Sequence, residues 1–256
     1  MESKIVVVSY KRPDNKTCNL LKNTNLDWEV FIYKFDNTEE YIKNYGENHV
    51  HVLDFEKPNL PLKRQAVLEY GRELNRNIIM MDDDIYSIKK NNEDCSIIDL
   101  VQALEENLGD NFAISPRYND NMKNVQGNLV LYKGITTVSI INISKLDDLT
   151  YNPESKCEDV EFTIDAMLKG YSCCMLKDYR LNAEIKNTAS DSGLSYRFRE
   201  NKYIDEGSYL EEYLKKYTNM FIEENKLKDA NILEIARDAI FLYNSKPKYS
   251  KFGDYI

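Results

Sequence analysis

The sequence predicts an α/β fold in which a mostly parallel central sheet is flanked by helices. The run Ile5–Val8 consists of β-branched residues only, which is typical of a strand buried on both faces. Apolar strand-like segments then alternate with helical patterns as far as Met81. Because this alternation builds βαβ units, we expect neighbouring strands to run parallel.

Each N-terminal element follows from its local pattern. Residues 9–14 form a polar loop after the first strand, and Pro13 or Asp14 should open a helix that runs through Leu21. His49 and His51 are the only histidines, and we interpret both as structural because they alternate along an expected strand. Further strands are expected at 28–33, 49–53 and 78–81, and helices at 38–45 and 62–74.

The second half of the chain predicts further strands and helices and then a separate unit. A helix that begins after Asp159 should end at Gly170. From about residue 208 the pattern becomes helical and highly charged, so we predict an α/β domain at 1–206 and a C-terminal helical appendage at 207–256. A helix is also expected at 97–108, and strands at 112–115, 129–132, 136–143 and 175–179.

Composition and charge narrow the classes of function. The chain has 256 residues, of which 42% are hydrophobic, which is enough to bury a full core. Its net charge of −9 counts against a non-specific nucleic-acid binder, because such proteins are usually basic. No apolar run reaches the length of a membrane span. The odd number of cysteines without zinc spacing, and the lack of a signal peptide, predict reduced thiols and a cytoplasmic location.

The consecutive aspartates Asp82, Asp83 and Asp84 are the strongest chemical signal, and they directly follow an apolar strand. Adjacent carboxylates repel one another, so their pKa values should be raised unless a cation screens them. Mg²⁺ and Mn²⁺ prefer oxygen ligands and bridge them to substrate phosphates. Because ligands of parallel sheets bind at the carboxyl ends of strands, we predict a metal site here. The alternative is a solvated acidic turn.

The chain resembles glycosyltransferases with the GT-A fold in several segments that follow the family's order from residue 5 to residue 171. Residues 5–13 are similar to the opening strand and nucleotide loop, and Lys63-Arg64-Gln65-Ala66 resembles the basic helix start before the metal strand. Asp82 and Asp84 take the outer positions of a D-x-D motif. Glu158-Asp159, with Gly170-Tyr171 further on, resembles the E-D motif that opens a helix ending in a Gly-aromatic pair.

This resemblance implies a metal-dependent transfer from a nucleoside-diphosphate sugar, with a UDP-sugar favoured and Mn²⁺ or Mg²⁺ as cofactor. Asp84 and Asp82 would hold the metal. Asp159, next to Glu158, would be the general base of an inverting transfer, because a carboxylate can take the proton of an attacking hydroxyl. Capping of a helix by acidic residues is the alternative for this pair. The implied donor-binding residues are Ser9, Tyr10, Arg12, Lys63, Arg64, Asp82 and Asp83.

One departure from many metal-dependent relatives concerns the metal ligands. Those proteins supply a late histidine, whereas both histidines here lie early in the chain. Water is one candidate replacement, and the segment 187–194, which resembles a loop that closes over the donor in relatives, contains others. An ordinary surface loop is the alternative for this segment. The candidate side chains are Asn187, Ser190, Asp191 and Ser192.

A closer resemblance is to phage-type glycosyltransferases associated with hydroxylated DNA bases, the TET-associated group. It rests on Arg12-Pro13-Asp14, on Met81–Ile85 and on Gly127 ahead of Ser139–Asn142. It implies a bacteriophage protein of the host cytoplasm that modifies 5-hydroxymethylpyrimidine in DNA. A candidate DNA surface at 196–203, with a solvated face as the alternative, contains Arg197, Arg199 and Lys202 between aromatic residues.

Other functions stay open at this point. The acceptor could instead be a cell-surface glycan or a lipid-linked sugar, or the chain could be a non-catalytic nucleotide-binding module of the same fold. A sugar-nucleotidyl transferase is disfavoured because residues 9–19 contain no glycine for a phosphate loop. A phosphatase with an aspartyl nucleophile is disfavoured because the first strand ends in Ser9.

Overall fold

The computed structural model describes residues 3–118, 129–131, 137–155 and 158–183. The helices in these ranges are α1 (Lys16–Leu21), α2 (Thr38–Tyr45), α3 (Leu60–Leu74), α4 (Ile97–Leu108) and α5 (Glu158–Leu168). The strands are β1 (Lys4–Val8), β2 (Trp28–Tyr33), β3 (Val50–Leu53), β4 (Ile78–Asp82), β5 (Ile85–Lys90), β6 (Glu93–Cys95), β7 (Ala113–Tyr118), β8 (Leu129–Leu131), β9 (Val138–Ile141) and β10 (Cys173–Ala183).

One large sheet contains all of these strands, in the order β3-β2-β1-β4-β9-β7-β10-β5-β6, with β8 paired to β10. The strands β3, β2, β1 and β4 are parallel to their neighbours. Beyond β4 the sheet is mixed, because β9 runs antiparallel to both β4 and β7, and β5 runs antiparallel to β10. The predicted α/β fold with a large central sheet is therefore confirmed. The predicted appendage at 207–256 lies outside the described residues.

Helices cover both faces of the sheet. The side chains of β1 alternate between two cores, with Ile5 and Val7 on one face and Val6 and Val8 on the other. Helices α1, α2 and α4 supply the first core, and α3 and α5 supply the second. This arrangement explains the unbroken apolar run of β1, since a strand covered on both faces has no polar side. Among the described residues, no helix combines the length and apolar character that a membrane crossing requires.

The first helix begins later than predicted. It starts at Lys16 rather than at Pro13 or Asp14, because the side chain of Asn15 accepts the Cys18 N–H over 2.7 Å and caps the helix. Lys11 has a φ of 53°, so the chain turns sharply before this cap. The predicted loop at residues 9–14 is confirmed, but the prediction of the helix start was wrong.

The structure also differs from the prediction around the histidines and after the acidic triplet. His49 lies in a short 3-10 turn before β3 rather than in the strand, and its ring stacks on Trp28 at 4.2 Å. His51 lies in β3 and stacks on Phe31 at 4.1 Å, so both histidines pack against aromatic side chains of β2. The strands β5 and β6 were not predicted.

Helix α3 packs closely against β4. A Cβ atom added to Gly71 would lie 2.5 Å from Ile78 Cγ1 and 3.0 Å from Ile143 Cδ1. Only a residue without a side chain allows this approach without a shift of its neighbours. The contact joins the C-terminal half of α3 to the first residue of β4, and at the other end of the helix Arg64 contacts Met80 and Asp82 of the same strand.

Candidate active site

The polar loop at residues 9–14 and the acidic triplet Asp82–Asp84 meet at the carboxyl ends of the neighbouring strands β1 and β4. Val8 of β1 and Asp82 of β4 are register partners, so the residues that follow them emerge side by side. The Ser9 hydroxyl donates to Asp83 Oδ2 over 2.9 Å and also contacts the Tyr41 hydroxyl at 2.8 Å. Ser9 and Asp83 are both buried, at 2% and 5% exposure, and therefore form the floor of the site.

Arg12 connects the loop to the same aspartate. Its guanidinium pairs with Asp83 Oδ1, and its backbone N–H donates to the Tyr41 hydroxyl over 2.9 Å. Tyr10 packs edge-on against Tyr33 at 5.6 Å, and Phe35, 40% exposed, stacks on Tyr33 at 5.1 Å. The loop after β1 is therefore tied to the triplet on one side and bordered by aromatic rings on the other.

Arg64 joins the triplet to helix α5. Its Nη2 lies 2.9 Å from Asp82 Oδ1, and its Nε lies 3.4 Å from Glu158 Oε1. The arginine is 4% exposed, whereas the Asp82 side chain is 30% exposed. A buried guanidinium thus bridges two acidic segments that are far apart in the sequence, and it leaves Asp82 partly open to solvent.

Lys63 supports the loop from behind. Its Nζ donates to the Ser9 carbonyl and, over 3.3 Å, to the Phe31 carbonyl, and it lies 3.6 Å from the centre of the Tyr33 ring. Burial lowers the pKa of Lys63 to about 7, although Asp36 and Asp83 oppose this shift. The Lys63 ammonium and the Arg64 guanidinium are therefore both buried and contact other groups of the protein, whereas the resemblance implied that they contact the diphosphate of the donor.

The raised pKa values predicted for the triplet are present at its outer positions. Burial raises the pKa of Asp82 to about 6, with Asp83 and Glu158 adding to the shift and Arg64 opposing it. Burial and the carboxylates of Asp82 and Asp83 raise the pKa of Asp84 to about 8, against the effect of Arg12. A divalent cation would relieve this repulsion, so the two carboxylates fit a metal ion.

The protein ligands of such an ion would be few. Among the described residues, no group of three or more His, Cys, Asp or Glu side chains is arranged to hold a metal. Mg²⁺ and Mn²⁺ sites of nucleotide enzymes commonly use one or two carboxylates, and substrate phosphates and waters complete them. Asp82 and Asp84 match that kind of site. The other ligand candidates, Asn187, Ser190, Asp191 and Ser192, lie outside the described residues.

Glu158 and Asp159 occupy the first positions of α5, but their environments differ. Glu158 is buried and paired with Arg64, while Asp159 is half-buried. Burial, together with Glu158 and Asp82, raises the pKa of Asp159 to about 7, against Arg64 and the Val160 N–H that donates to it over 2.8 Å. A carboxylate with a pKa near neutrality is suited to accept a proton.

Two further residues, Tyr151 and Thr17, border the site but belong to none of the sequence motifs. Tyr151 is buried and stacks on Phe162 of α5 at 4.2 Å. Burial and the nearby carboxylates of Glu158, Asp159 and Asp82 raise the pKa of its hydroxyl, against the effect of Arg64. Thr17 of α1 bonds to the backbone of the acidic turn. Both positions depend on contacts between distant segments, so no local pattern reveals them.

Sequence comparison finds a family. A family model described as TET-Associated Glycosyltransferase matches residues 3–190. No curated protein matches the sequence. Gly127 and the candidate DNA surface at 196–203 lie outside the described residues.

Comparison with solved structures finds proteins of similar fold. A mannosyltransferase from Pyrobaculum calidifontis, solved in complex with GDP-Man and Mn²⁺, is similar with a TM-score of 0.55 and 11% identity, over 96% of this chain and 76% of that one. A mycobacterial protein is similar with a TM-score of 0.50 and 10% identity, over 72% of this chain and 68% of that one. At these identities the likeness concerns the GT-A fold alone.

Proposed function

Because the chain belongs to the TET-associated glycosyltransferase family, we propose that it transfers a sugar from a nucleoside-diphosphate sugar to a hydroxyl acceptor with Mn²⁺ or Mg²⁺. The observation that carries this proposal is the bridge through Arg64, which joins Asp82 of the triplet to Glu158 at the start of α5. The bridge brings a candidate metal pair and a candidate base to one end of the sheet. A transferase of this kind needs both groups in one site.

Asp84 and Asp82 would hold the metal ion. When bound, the ion neutralises the charge that develops on the departing nucleoside diphosphate. The raised pKa values of the two carboxylates support this assignment, because a cation stabilises their ionised forms. Arg64 orients Asp82, so we assign Arg64 a positioning role rather than a direct contact with the diphosphate.

Asp159 is the general base. The acceptor hydroxyl attacks the anomeric carbon and transfers its proton to the Asp159 carboxylate, while the bond between that carbon and the diphosphate oxygen breaks. A direct displacement of this kind inverts the anomeric centre. The pKa of Asp159, raised to about 7, supports the role because the group is then both available and basic near neutral pH. Glu158 is paired with Arg64 and supports the base from the adjacent position.

The loop after β1 receives the donor nucleotide. Tyr10 and Phe35 present aromatic surface beside the loop, which suits a nucleobase. Ser9 and Asp83 shape the floor, and Arg12 neutralises Asp83. Lys63 holds the loop through the Ser9 carbonyl, so we assign it a positioning role as well. UDP is the favoured nucleotide.

The acceptor we favour is 5-hydroxymethylpyrimidine in DNA, in a bacteriophage-encoded enzyme of the host cytoplasm. The family description, which names an association with TET, supports this choice. The overall charge of −9 means that any DNA contact has to be local. A glycan or lipid-linked acceptor, or binding without catalysis, is the alternative.

Thermal stabilisation by UDP, GDP, ADP and CDP, each with and without Mn²⁺, tests the donor site. We expect one nucleotide to stabilise the wild type only with Mn²⁺, and Asp84→Asn to remove that effect. Asp94→Asn, an exposed acidic residue in β6, is the matched control. Identical stabilisation of wild type and Asp84→Asn would exclude the metal site.

Mass spectrometry of DNA containing 5-hydroxymethylcytosine tests the acceptor, with a gain of one hexose mass as the expected result.

A further inference from the structure

Thr17 makes two hydrogen bonds to the backbone of the acidic turn. It is the second residue of α1 and is completely buried. Its hydroxyl donates to the Asp82 carbonyl over 2.6 Å and accepts from the Ile85 N–H over 3.1 Å. These two backbone groups flank Asp83 and Asp84, so a single side chain holds both ends of the turn that carries the triplet.

A hydroxyl is well suited to this position. In a four-residue turn, the carbonyl of the first residue and the N–H of the fourth face each other across the mouth of the turn. One hydroxyl can donate to the carbonyl and accept from the N–H at the same time, which an aliphatic side chain cannot do. Threonine is also restricted at χ1, and the two hydrogen bonds to the turn select the rotamer that its side chain adopts.

The turn needs support because it carries three adjacent carboxylates. Arg64 holds the Asp82 side chain, and Arg12 and Ser9 hold the Asp83 side chain. Thr17 acts on the backbone instead, between the end of β4 and the start of β5. The direction of Asp84 depends on that backbone, because a carboxylate two bonds from the main chain follows the main chain closely.

Helix α1 gives Thr17 a fixed base. Asn15 caps the helix at Cys18 and donates its own N–H to the Tyr45 hydroxyl of α2 over 2.9 Å. Cys18 and Leu21 are completely buried in the core beneath. The helix therefore connects the loop after β1 to the acidic turn through one rigid contact.

We infer that Thr17 is a positioning residue whose hydroxyl fixes the acidic turn in the conformation that binds the metal and the nucleotide. The inference rests on the proposed function, because it gives Thr17 a role in metal–nucleotide binding. Thr17 touches neither the metal nor the nucleotide and acts only through the backbone that carries Asp82 and Asp84.

The test compares Thr17→Val, which removes the hydroxyl at nearly constant shape, with Thr17→Ser, which keeps it. Binding of UDP in the presence of Mn²⁺ is measured by calorimetry, with the diphosphate that best stabilises the wild type used in place of UDP if another is preferred. We expect binding at least about tenfold weaker for Thr17→Val, because two buried backbone groups lose their partner. Thr17→Ser should stay within about threefold of the wild type.

Thr24→Val is the control for a general loss of stability. Thr24 lies just after the same helix and donates to the Leu21 carbonyl over 2.7 Å, away from the acidic turn. We expect it to lower thermal stability without weakening Mn²⁺-dependent binding. If Thr17→Val does not fold, Thr17→Cys replaces it, since a thiol donates and accepts only weakly.

The outcomes separate the positioning role of Thr17 from the proposed function. Unchanged binding by Thr17→Val, or equal weakening by Thr17→Ser and Thr17→Val, overturns the positioning role and leaves the proposed function intact. Equal weakening by Thr24→Val also overturns it, because stability alone would then explain the loss. If the wild type binds no nucleoside diphosphate with Mn²⁺, the proposed function fails, and the inference about Thr17 fails with it.

Discussion

Arg64 Nη2 donates to Asp82 Oδ1 over 2.9 Å from a position that is almost entirely enclosed by protein. The same guanidinium reaches Glu158 with its Nε at 3.4 Å. A cation at this point offsets the repulsion between two acidic segments that would otherwise oppose each other. It also fixes one carboxylate of the triplet without covering it.

Replacement of Arg64 by methionine should therefore destabilise the fold. The change leaves Asp82 and Glu158 without their shared cation, and breaking a buried ion pair costs about 3–5 kcal/mol. Urea unfolding measures the difference. Arg72→Met, an exposed arginine of the same helix, should change the free energy of unfolding by less than about 0.5 kcal/mol. A loss of less than about 1 kcal/mol for Arg64→Met would contradict the bridge.

The rate of sugar transfer should depend on the ionisation of Asp159. A base acts only when deprotonated, and the pKa of Asp159 is raised to about 7, so kcat/KM should fall as the pH drops below about 7. Asp159→Asn should bind the Mn²⁺–nucleotide but lose transfer by about 10²-fold or more. Asp148→Asn, 83% exposed in its side chain, should retain the wild-type rate and profile. Transfer by Asp159→Asn at the wild-type rate would remove the base assignment.

The acid stability of the protein should depend on Glu29, far from the site. Burial opposes ionisation of this group, but hydrogen bonds from His51, Lys4 and Tyr70 outweigh it and lower its pKa to about 2. A carboxylate with a lowered pKa stabilises the fold above its unfolded value of about 4.5, and this stability is lost as the pH falls towards 2.

Glu29→Gln should therefore cost about 3 kcal/mol at neutral pH, and the difference from the wild type should shrink below pH 4.5. Unfolding by urea at several pH values measures it. Glu56→Gln, 90% exposed in its side chain, is the control and should change little at any pH. A difference that does not vary with pH would show that Glu29 contributes through packing alone.

Gly71→Ala should destabilise the protein although alanine favours helices. The added Cβ would lie 2.5 Å from Ile78 Cγ1, and overpacking of this kind costs about 1–3 kcal/mol, against a helix-propensity gain of about 1 kcal/mol. Thermal unfolding checks the sign of the net change. Glu69→Ala, at an exposed position of the same helix, should be close to neutral. A more stable Gly71→Ala variant would mean that α3 can move away from β4 freely.

Local patterns predicted most of the described fold. Apolar runs located β1, β2 and β4, and helical patterns located helices α2 to α5. The cap at Asn15, and with it the helix start at Lys16, was missed because Pro13 and Asp14 are also good helix openers. The contact with Tyr45 that favours Asn15 joins distant segments. The strands β5 and β6 were missed because β5 pairs with the distant strand β10 and β6 pairs only with β5, so that their place in the sheet depends on residues far away in the sequence.

The candidate site was predicted in part. Asp82 and Asp84 stand out in the sequence because three consecutive aspartates directly follow an apolar strand, whereas Asp159 stands out only through its resemblance to a family motif. Lys63 and Arg64 were expected to reach a diphosphate, yet both are buried. Their burial, like the bonds of Thr17 across 65 positions to Asp82, follows from tertiary packing and leaves no trace in local composition.

The position of β4 limits how this site can vary. The strand is hydrogen-bonded to β1 on one side and to β9 on the other, with Met81 opposite both Val7 and Val138. A slip of one residue would exchange the two faces of the strand and break two ladders at once, so register shifts of the acidic residues are blocked. New donor or acceptor preferences in such a protein are therefore more readily acquired by changes in the surrounding loops than by movement of the acidic residues themselves.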